Sequence, residues 1–292
     1  MSITLRALEK GLLLSGVRNW LVTSKKLDQW AAHPRKPYAG RPPALVRRKI
    51  EVTRSDIDGW PVYEVIPRLP EGEAANGHLI FLHGGGYVLD LLPMHWLFIA
   101  KVARDLRRTV TVPIYPLTPE HTYRDVYPLL LSVYRRVLDT HDAKSVAFMG
   151  ESAGGGLALG LCHAARDAGL PQPRSIVLLS PWLHAGLPSP EVAEIAKIDP
   201  ILSLDRMREA AEWYAGGDPL DNPLLSPSIG PLDGLPHIAV VTGTHDLLNP
   251  DARAFRRRTL AEGIEIGWYE QDGGIHGWLS REAWRYVRSV AS

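Results

Sequence analysis

The 292-residue chain is poor in cysteine and has almost no net charge, and each of these features excludes a class of protein. It contains a single cysteine, Cys162, so it can form neither an intrachain disulfide framework nor a metal site built from several thiolates. We expect that cysteine to be buried filler, because it lies among small and apolar residues. The 33 lysines and arginines nearly balance the 32 aspartates and glutamates, so the basic excess typical of nucleic-acid binders is missing.

Long hydrophobic runs are also missing. No run in the sequence approaches the roughly 18 apolar residues that a membrane-spanning helix needs, and charged residues such as Arg6 and Glu9 interrupt the amino-terminal stretch. Together with the single cysteine, this predicts a cytoplasmic protein without stable membrane insertion and without a nucleic-acid partner. A membrane-surface lipase is an alternative, although Trp20 and Trp30 would serve equally well inside a helical cap.

Short apolar runs alternate with helical patterns from residue 78 onward. Such runs are typical of parallel strands that helices cover on both faces. The sequence therefore predicts an α/β fold with a mostly parallel central sheet. Strands are predicted at 48–54, 61–66, 78–83, 109–114, 145–150, 175–180, 237–243 and 264–270, and helices at 94–106, 122–139, 153–168, 250–262 and 279–290.

Two segments stand outside this alternation. Residues 1–44 contain one or two amphipathic helices followed by a proline-rich connector, and residues 184–217 combine an extended connection with one helix. We expect the two segments to form a helical cap over the carboxyl edge of the sheet. The core of the fold would then comprise residues 45–183 and 218–292.

The pentapeptide GESAG at 150–154 lies between a predicted strand and a predicted helix. It fits the G-x-S-x-G pattern, in which a strained turn exposes a nucleophilic serine above the sheet. Gly150 and Gly154 leave room for close backbone approach, and the helix N-terminus favours developing negative charge. A generic glycine-rich turn is the alternative, whereas a dinucleotide loop fits poorly because the glycines lie within the helix. We predict that Ser152 is a nucleophile.

His83 and three glycines at 84–86 directly follow another apolar strand. Consecutive glycines allow backbone N–H groups to turn toward one point, and preorganised donors of this kind stabilise an oxyanion. Alone, a triple glycine could equally be a flexible loop, but its combination with the G-x-S-x-G serine favours an oxyanion hole. We expect His83 to anchor this loop and not to act as a base.

The expected chain order after such a serine is an acid and then a histidine. His276 lies in a glycine-rich loop after the last predicted strand, and we predict that it is the base. Asp246, just past the preceding strand, would fix the imidazole tautomer; Asp251 and Asp272 are its rivals. The other histidines after Ser152 are expected to be structural or to point elsewhere, namely His163, His184, His237 and His245.

Seven spaced motifs resemble the bacterial hormone-sensitive-lipase-like esterases, also called the α/β-hydrolase-3 group. They are, in order, HGGGY, GESAGG, YPLTPEH, SPWL, NPLLSPS, GTHD and IHGW, and the similarity spans roughly residues 45–292. The resemblance implies an α/β-hydrolase fold, a helical cap, and ester hydrolysis without a cofactor or metal. Glu151 departs from the family, which has Asp or Thr before the serine, and Trp278 replaces a frequent Phe.

The resemblance also implies roles for individual residues. Ser152, Asp246 and His276 would form the catalytic triad, while the N–H groups of Gly85, Gly86 and Ala153 would form the oxyanion hole. A homodimer through the last strand or helix is a further implication. Aromatic residues near the cap would shape the substrate pocket or simply pack the cap onto the core, namely Tyr87, Trp182, Trp213, Tyr214 and Trp278.

The resulting hypothesis is a serine carboxylesterase that hydrolyses short- to medium-chain acyl esters through an acyl-enzyme intermediate. An amidase, arylformamidase or N-deacetylase would use the same triad, because only the leaving group differs. A peptidase is disfavoured, since peptidases of this fold usually carry a larger accessory domain. A non-catalytic ligand-binding member of the fold is the alternative from another class, and the intact Ser, Asp and His disfavour it.

Overall fold

The computed structural model describes residues 42–48 and 50–291, together with Gln29. The helices predicted within residues 3–32, and with them most of the 1–44 cap segment, lie outside the described residues.

An eight-stranded sheet forms the centre of the molecule, in the order β1-β2-β4-β3-β5-β6-β7-β8. Strand β2 is antiparallel to β1 and to β4, and all other neighbours are parallel. The strands are β1 (Ile50–Ile57), β2 (Trp60–Pro67), β3 (His78–Leu82), β4 (Thr109–Pro113), β5 (Val146–Glu151), β6 (Ser175–Leu179), β7 (His237–His245) and β8 (Gly267–Ile275).

Helices flank this sheet. They are α1 (Ala44–Arg47), α2 (Pro93–Leu106), α3 (Tyr123–Leu138), α4 (Ala153–Asp167), α5 (Val192–Ile198), α6 (Leu204–Ala215), α7 (Asn249–Ala261) and α8 (Arg281–Ala291). The predicted α/β-hydrolase architecture is confirmed by this mostly parallel sheet with its flanking helices.

Alternate residues of each central strand face opposite sides of the sheet, as the pleat requires. In β3, Ile80 and Leu82 belong to one buried cluster with α3 and α4, whereas Leu79 and Phe81 belong to the other with α2. Both faces are therefore covered, which explains why the strands read as continuous apolar runs.

The structure differs from the sequence prediction at two elements that matter for the site. Strand β8 runs from Gly267 to Ile275 and not over 264–270, because its glycine-rich end still pairs with β7: His245 is the partner of Ile275. The predicted extended connection of the 184–217 insertion contains a short helix, α5, before the predicted α6.

No helix among the described residues is both long and apolar enough to cross a membrane.

Candidate active site

The carboxyl ends of the parallel strands meet at one edge of the sheet, and the predicted site residues follow four of them. Ser152 follows β5, the Gly84–Gly86 loop follows β3, Asp246 follows β7, and His276 follows β8. Residues that are far apart in the sequence therefore come together because of strand order, as is usual for open parallel sheets.

Ser152 occupies a strained turn. Its φ is 56° and its ψ is −121°, a conformation that L-residues rarely adopt. The turn is fixed from both sides, because the Ser152 N–H donates to the carbonyl of Leu179 (2.9 Å) and the Ser152 carbonyl accepts from the N–H of Trp182 (2.9 Å). The serine side chain is consequently held at the N-terminus of α4.

Two glycines make this turn sterically feasible. A Cβ on Gly150 would lie 2.7 Å from the amide nitrogen of Gly155, and a Cβ on Gly154 would lie 2.6 Å from the carbonyl oxygen of His83. Neither side chain could be accommodated without moving α4 away from the sheet.

Ser152, His276 and Asp246 form a continuous hydrogen-bonded chain. His276 Nε2 lies 3.0 Å from Ser152 Oγ, and His276 Nδ1 lies 3.1 Å from Asp246 Oδ1. With Nδ1–H donating to the carboxylate, Nε2 is free to accept the serine proton. The arrangement has the geometry of a nucleophile, a base and an orienting acid.

Three consecutive N–H groups fix the Asp246 turn. The Leu248 N–H donates to Asp246 Oδ1 (3.0 Å) and the Asn249 N–H donates to the Asp246 carbonyl (2.9 Å). The Leu247 N–H donates to Oδ2 of Asp199 (2.7 Å), which lies in the 184–217 insertion. Asp246 itself is fully buried.

Carboxylates surround the imidazole of His276 and raise its pKa. Burial disfavours the charged imidazole, but the negative charges of Asp246, Glu151 and Asp199 outweigh it and raise the pKa of His276 above its ordinary value. The same charges would stabilise the imidazolium that forms when the histidine takes a proton.

Glu151 lies between the base and the glycine loop. Its Oε1 is 3.6 Å from His276 Nε2, and its carboxylate accepts a hydrogen bond from the backbone N–H of Gly84. Its side chain is 20% exposed, and burial raises the pKa of this carboxyl. Glu151 thus places a carboxylate against both His276 and the predicted oxyanion loop.

The glycine loop has the backbone conformation that its sequence predicts. Gly85 and Gly86 have φ values of 127° and 63°, which glycine adopts readily. His83 contacts this loop as an anchor, since its Nδ1 lies 2.8 Å from the Gly84 carbonyl and its ring stacks on Tyr115. Burial lowers the pKa of His83 to about 3, which keeps the ring neutral.

Two other histidines and one rival aspartate contact residues outside the Ser152–His276–Asp246 chain. His163 Nε2 lies 3.0 Å from the carbonyl of Pro227, and His184 Nδ1 lies 3.2 Å from Ser226 Oγ. Asp251 accepts from the N–H of Ser189 (3.2 Å), so its carboxylate holds the insertion.

A cavity of about 630 Å³ opens above the serine and the histidine. Gly85 and Gly86 line it, as do the apolar side chains of Phe98 from α2, Leu202 and Met207 from the insertion, and Leu279, which follows β8. An apolar cavity beside a nucleophile suits a hydrocarbon part of a substrate.

None of the five aromatic residues predicted near the cap is among the described residues that line this cavity. Tyr87 stacks on Tyr214 with ring centroids 3.8 Å apart, and Trp182 packs beside them, all three buried. Trp213 packs against the same core, and Trp278 is 45% exposed. Through the contact between Tyr87 and Tyr214, these buried rings join the 184–217 insertion to the core.

Comparison with known proteins gives the family. A family model described as an alpha/beta hydrolase fold matches residues 79–280, which is well over half of the chain. The chain belongs to this α/β-hydrolase family. The resemblance to hormone-sensitive-lipase-like esterases is confirmed by the same match and by the relatives.

Two curated relatives and one solved structure are similar to this α/β-hydrolase in sequence or in structure. A triacylglycerol lipase of Mycobacterium tuberculosis is 30% identical over 246 residues, covering 83% of this chain and 51% of that protein. An acetyl-hydrolase of Streptomyces hygroscopicus is 30% identical over 201 residues, covering 68% of this chain and 67% of that protein. An esterase from the bacterial hormone-sensitive lipase family superposes with a TM-score of 0.77 at 27% identity, covering 92% of this chain and 97% of that one. The chain thus spans about half the length of the lipase.

Sequence reasoning did not find Asp199 near the site of this α/β-hydrolase, and it assigned no role to Glu151. Asp199 gave no signal, since its contact with the Asp246 turn depends on how the insertion folds back. Glu151 was visible as an unusual residue in its motif, but its distance from the histidine was not. Among the described residues, no group of three or more His, Cys, Asp or Glu side chains could hold a metal ion.

Proposed function

We propose that this protein is a serine hydrolase of carboxylic esters. The observation that carries the proposal is the chain from Ser152 through His276 to Asp246, with separations of 3.0 and 3.1 Å. The names of the relatives, which include a triacylglycerol lipase, an acetyl-hydrolase and an esterase, support the same reaction class.

The proposed reaction begins with proton transfer. His276 Nε2 takes the proton of Ser152 Oγ as that oxygen attacks the ester carbonyl, and Asp246 stabilises the resulting imidazolium. The carbonyl oxygen becomes an oxyanion, which the N–H groups of Gly85, Gly86 and Ala153 would stabilise. His276 then gives its proton to the leaving alcohol, and an acyl-enzyme is formed.

Hydrolysis of the acyl-enzyme repeats these steps with water. His276 removes a proton from the water as it attacks the acyl carbonyl, and the proton returns to Ser152 Oγ when the carboxylic acid leaves. No cofactor takes part in the proposed scheme, because the serine supplies the nucleophile and the histidine carries every proton.

The proposed substrates are esters of short- to medium-chain acids. The support is the apolar cavity of about 630 Å³ that adjoins Ser152. An amidase, arylformamidase or N-deacetylase is the second candidate, since the same three residues would serve it. A panel of p-nitrophenyl esters and formyl and acetyl amides distinguishes the two, and a preference for the amides would overturn the ester proposal.

The direct test of the reaction class is Ser152→Ala, with labelling by a fluorophosphonate probe. Turnover should fall by about a millionfold, to background, and the probe should label the unmodified protein alone. Near-native activity of the variant would overturn the role of the serine. Failure of the unmodified protein to react with the probe would favour a non-catalytic ligand-binding protein.

We also propose a cytoplasmic location and a homodimer. The buried free thiol of Cys162 supports a reducing compartment, and the edge position of β8 supports pairing through the last strand. Cell fractionation and light scattering test these two proposals separately.

A further inference from the structure

Asp199 is a buried carboxylate to which the mechanism assigns no task. It directly follows α5 in the 184–217 insertion, and its side chain is fully inaccessible to solvent. A carboxylate in such a place is costly unless several donors stabilise it.

Three backbone N–H groups from two different parts of the molecule contribute to that stabilisation. Oδ1 accepts from Ile201 (2.7 Å) and Leu202 (2.9 Å), both of which line the cavity beside Ser152. Oδ2 accepts from Leu247 (2.7 Å), the residue that follows Asp246. The Asp199 side chain therefore connects the backbone of the cavity wall to the turn that carries Asp246.

The Asp246 carboxylate depends on that turn for its position. Its Oδ1 receives the Leu248 N–H and the His276 ring, while its Oδ2 is buried without a hydrogen-bond partner among the described residues. A shift of the backbone at Leu247 would move the carboxylate and rotate the imidazole that it orients.

Asp199 also acts on the base through its charge. The negative groups that raise the pKa of His276 are Asp246 from the β7 end, Glu151 from the β5 end and Asp199 from the insertion. Burial, followed by the charge of Asp246, raises the pKa of Asp199.

We propose that Asp199 is a positioning residue that links the insertion to the acid–base pair, so that the cavity wall and the orientation of His276 are fixed by one side chain. This inference rests on the proposed roles of Asp246 and His276. It assigns to the insertion a task in the chemical step, in addition to covering the site.

The variant Asp199→Asn tests this role. An amide cannot accept from both sets of donors, because turning its oxygen toward Ile201 and Leu202 turns its NH₂ toward the Leu247 N–H. We expect kcat to fall by about ten- to a hundredfold, since small displacements of reacting groups have effects of this size, with KM little changed. Loss of the charge also lowers the pKa of His276, so the acid limb of the pH profile of kcat/KM should move to lower pH.

Asp251→Asn is the matched control. Asp251 is also a buried carboxylate that holds the insertion, through the Ser189 N–H, and among the described residues no hydrogen bond joins its side chain to the Asp246 turn. If both carboxylates merely anchor the insertion, the two variants will lower the melting temperature or raise KM alike and leave kcat unchanged. Asp199→Ser, which removes the charge but keeps an acceptor oxygen, replaces Asp199→Asn if that variant does not fold.

The outcomes separate the two proposals. A lower kcat together with a shifted acid limb in Asp199→Asn, absent from Asp251→Asn, supports the positioning role. An unchanged kcat in the Asp199 variants overturns it, whether or not the limb moves, provided that Ser152→Ala is inactive. If Ser152→Ala keeps its activity, the proposed function itself has failed.

Discussion

The two halves of the candidate site are held in place by different physical means. The serine half, consisting of the Ser152 turn and the Gly84–Gly86 loop, is fixed by steric fit in addition to backbone hydrogen bonds. Backbone packs directly on backbone there, as a Cβ on Gly154 would meet the His83 carbonyl at 2.6 Å. The histidine half, consisting of Asp246 and His276, is fixed by hydrogen bonds and charge.

The difference follows from what each half must do. In the proposed reaction, the serine oxygen has to stay at one point relative to the predicted oxyanion donors, and close packing supplies that rigidity. The histidine has to gain and lose a proton, so its surroundings must favour the charged form without any rearrangement. Asp246, Glu151 and Asp199 supply that field. Changes at the packed glycines of the serine half should therefore damage the fold, whereas changes at the carboxylates of the histidine half should alter kinetics and pH dependence.

The largest effect on stability is expected for Gly154→Ala in the serine half. The new methyl group would force α4 away from β3, at a cost of about 3 kcal/mol or more in the free energy of unfolding. Urea denaturation measures this change. Gly169→Ala is the control, because Gly169 has φ 68° with nothing within 4 Å of an added Cβ, and strain alone costs about 1 kcal/mol. Equal stability of the two variants would contradict fixation by steric fit.

Asp246→Asn should leave the fold intact and lower kcat by about ten-thousandfold, because an amide no longer holds the imidazole in the required tautomer. Steady-state kinetics and circular dichroism together check this prediction. Asp251→Asn should retain most of the activity. If Asp246→Asn kept more than about a tenth of kcat, Asp246 would not be the acid.

Glu151→Gln should have the smallest effect. The carboxylate charge raises the pKa of His276, so its removal lowers that pKa and moves the acid limb of kcat/KM to lower pH. The plateau of kcat/KM should fall by no more than about tenfold, because water screens the partly exposed carboxylate of Glu151. The amide oxygen of the introduced glutamine can still accept the Gly84 N–H, which preserves the loop. A limb that stays in place would show that Glu151 has only a packing role.

How far the sequence predicts this molecule depends on how local each signal is. The strained turn at Ser152 was predictable because its glycines lie within the same pentapeptide as the serine. Asp246 and His276 were predictable from their order along the chain and from the strand ends that precede them. The extension of β8 was not, since a glycine-rich segment has little strand propensity and is ordered only by pairing with β7.

The residues that line the cavity and the contacts of the insertion could not be predicted from such local signals. Tyr87, Trp182 and Tyr214 look like substrate-binding aromatics in the sequence, but their large apolar surfaces pack against one another in the core. Asp199 contacts a residue that lies far along the chain, and its place is decided by how α5 packs. Only the folded structure brings that carboxylate to the turn of Asp246.

The pH dependence of kcat/KM for the unmodified protein tests the central claim most directly. The base must be neutral to accept the serine proton, and three carboxylates raise its pKa above the ordinary value of 6.5. The account predicts an acid limb with its midpoint above pH 6.5. A midpoint at or below that value would show that these carboxylates do not control the protonation of His276.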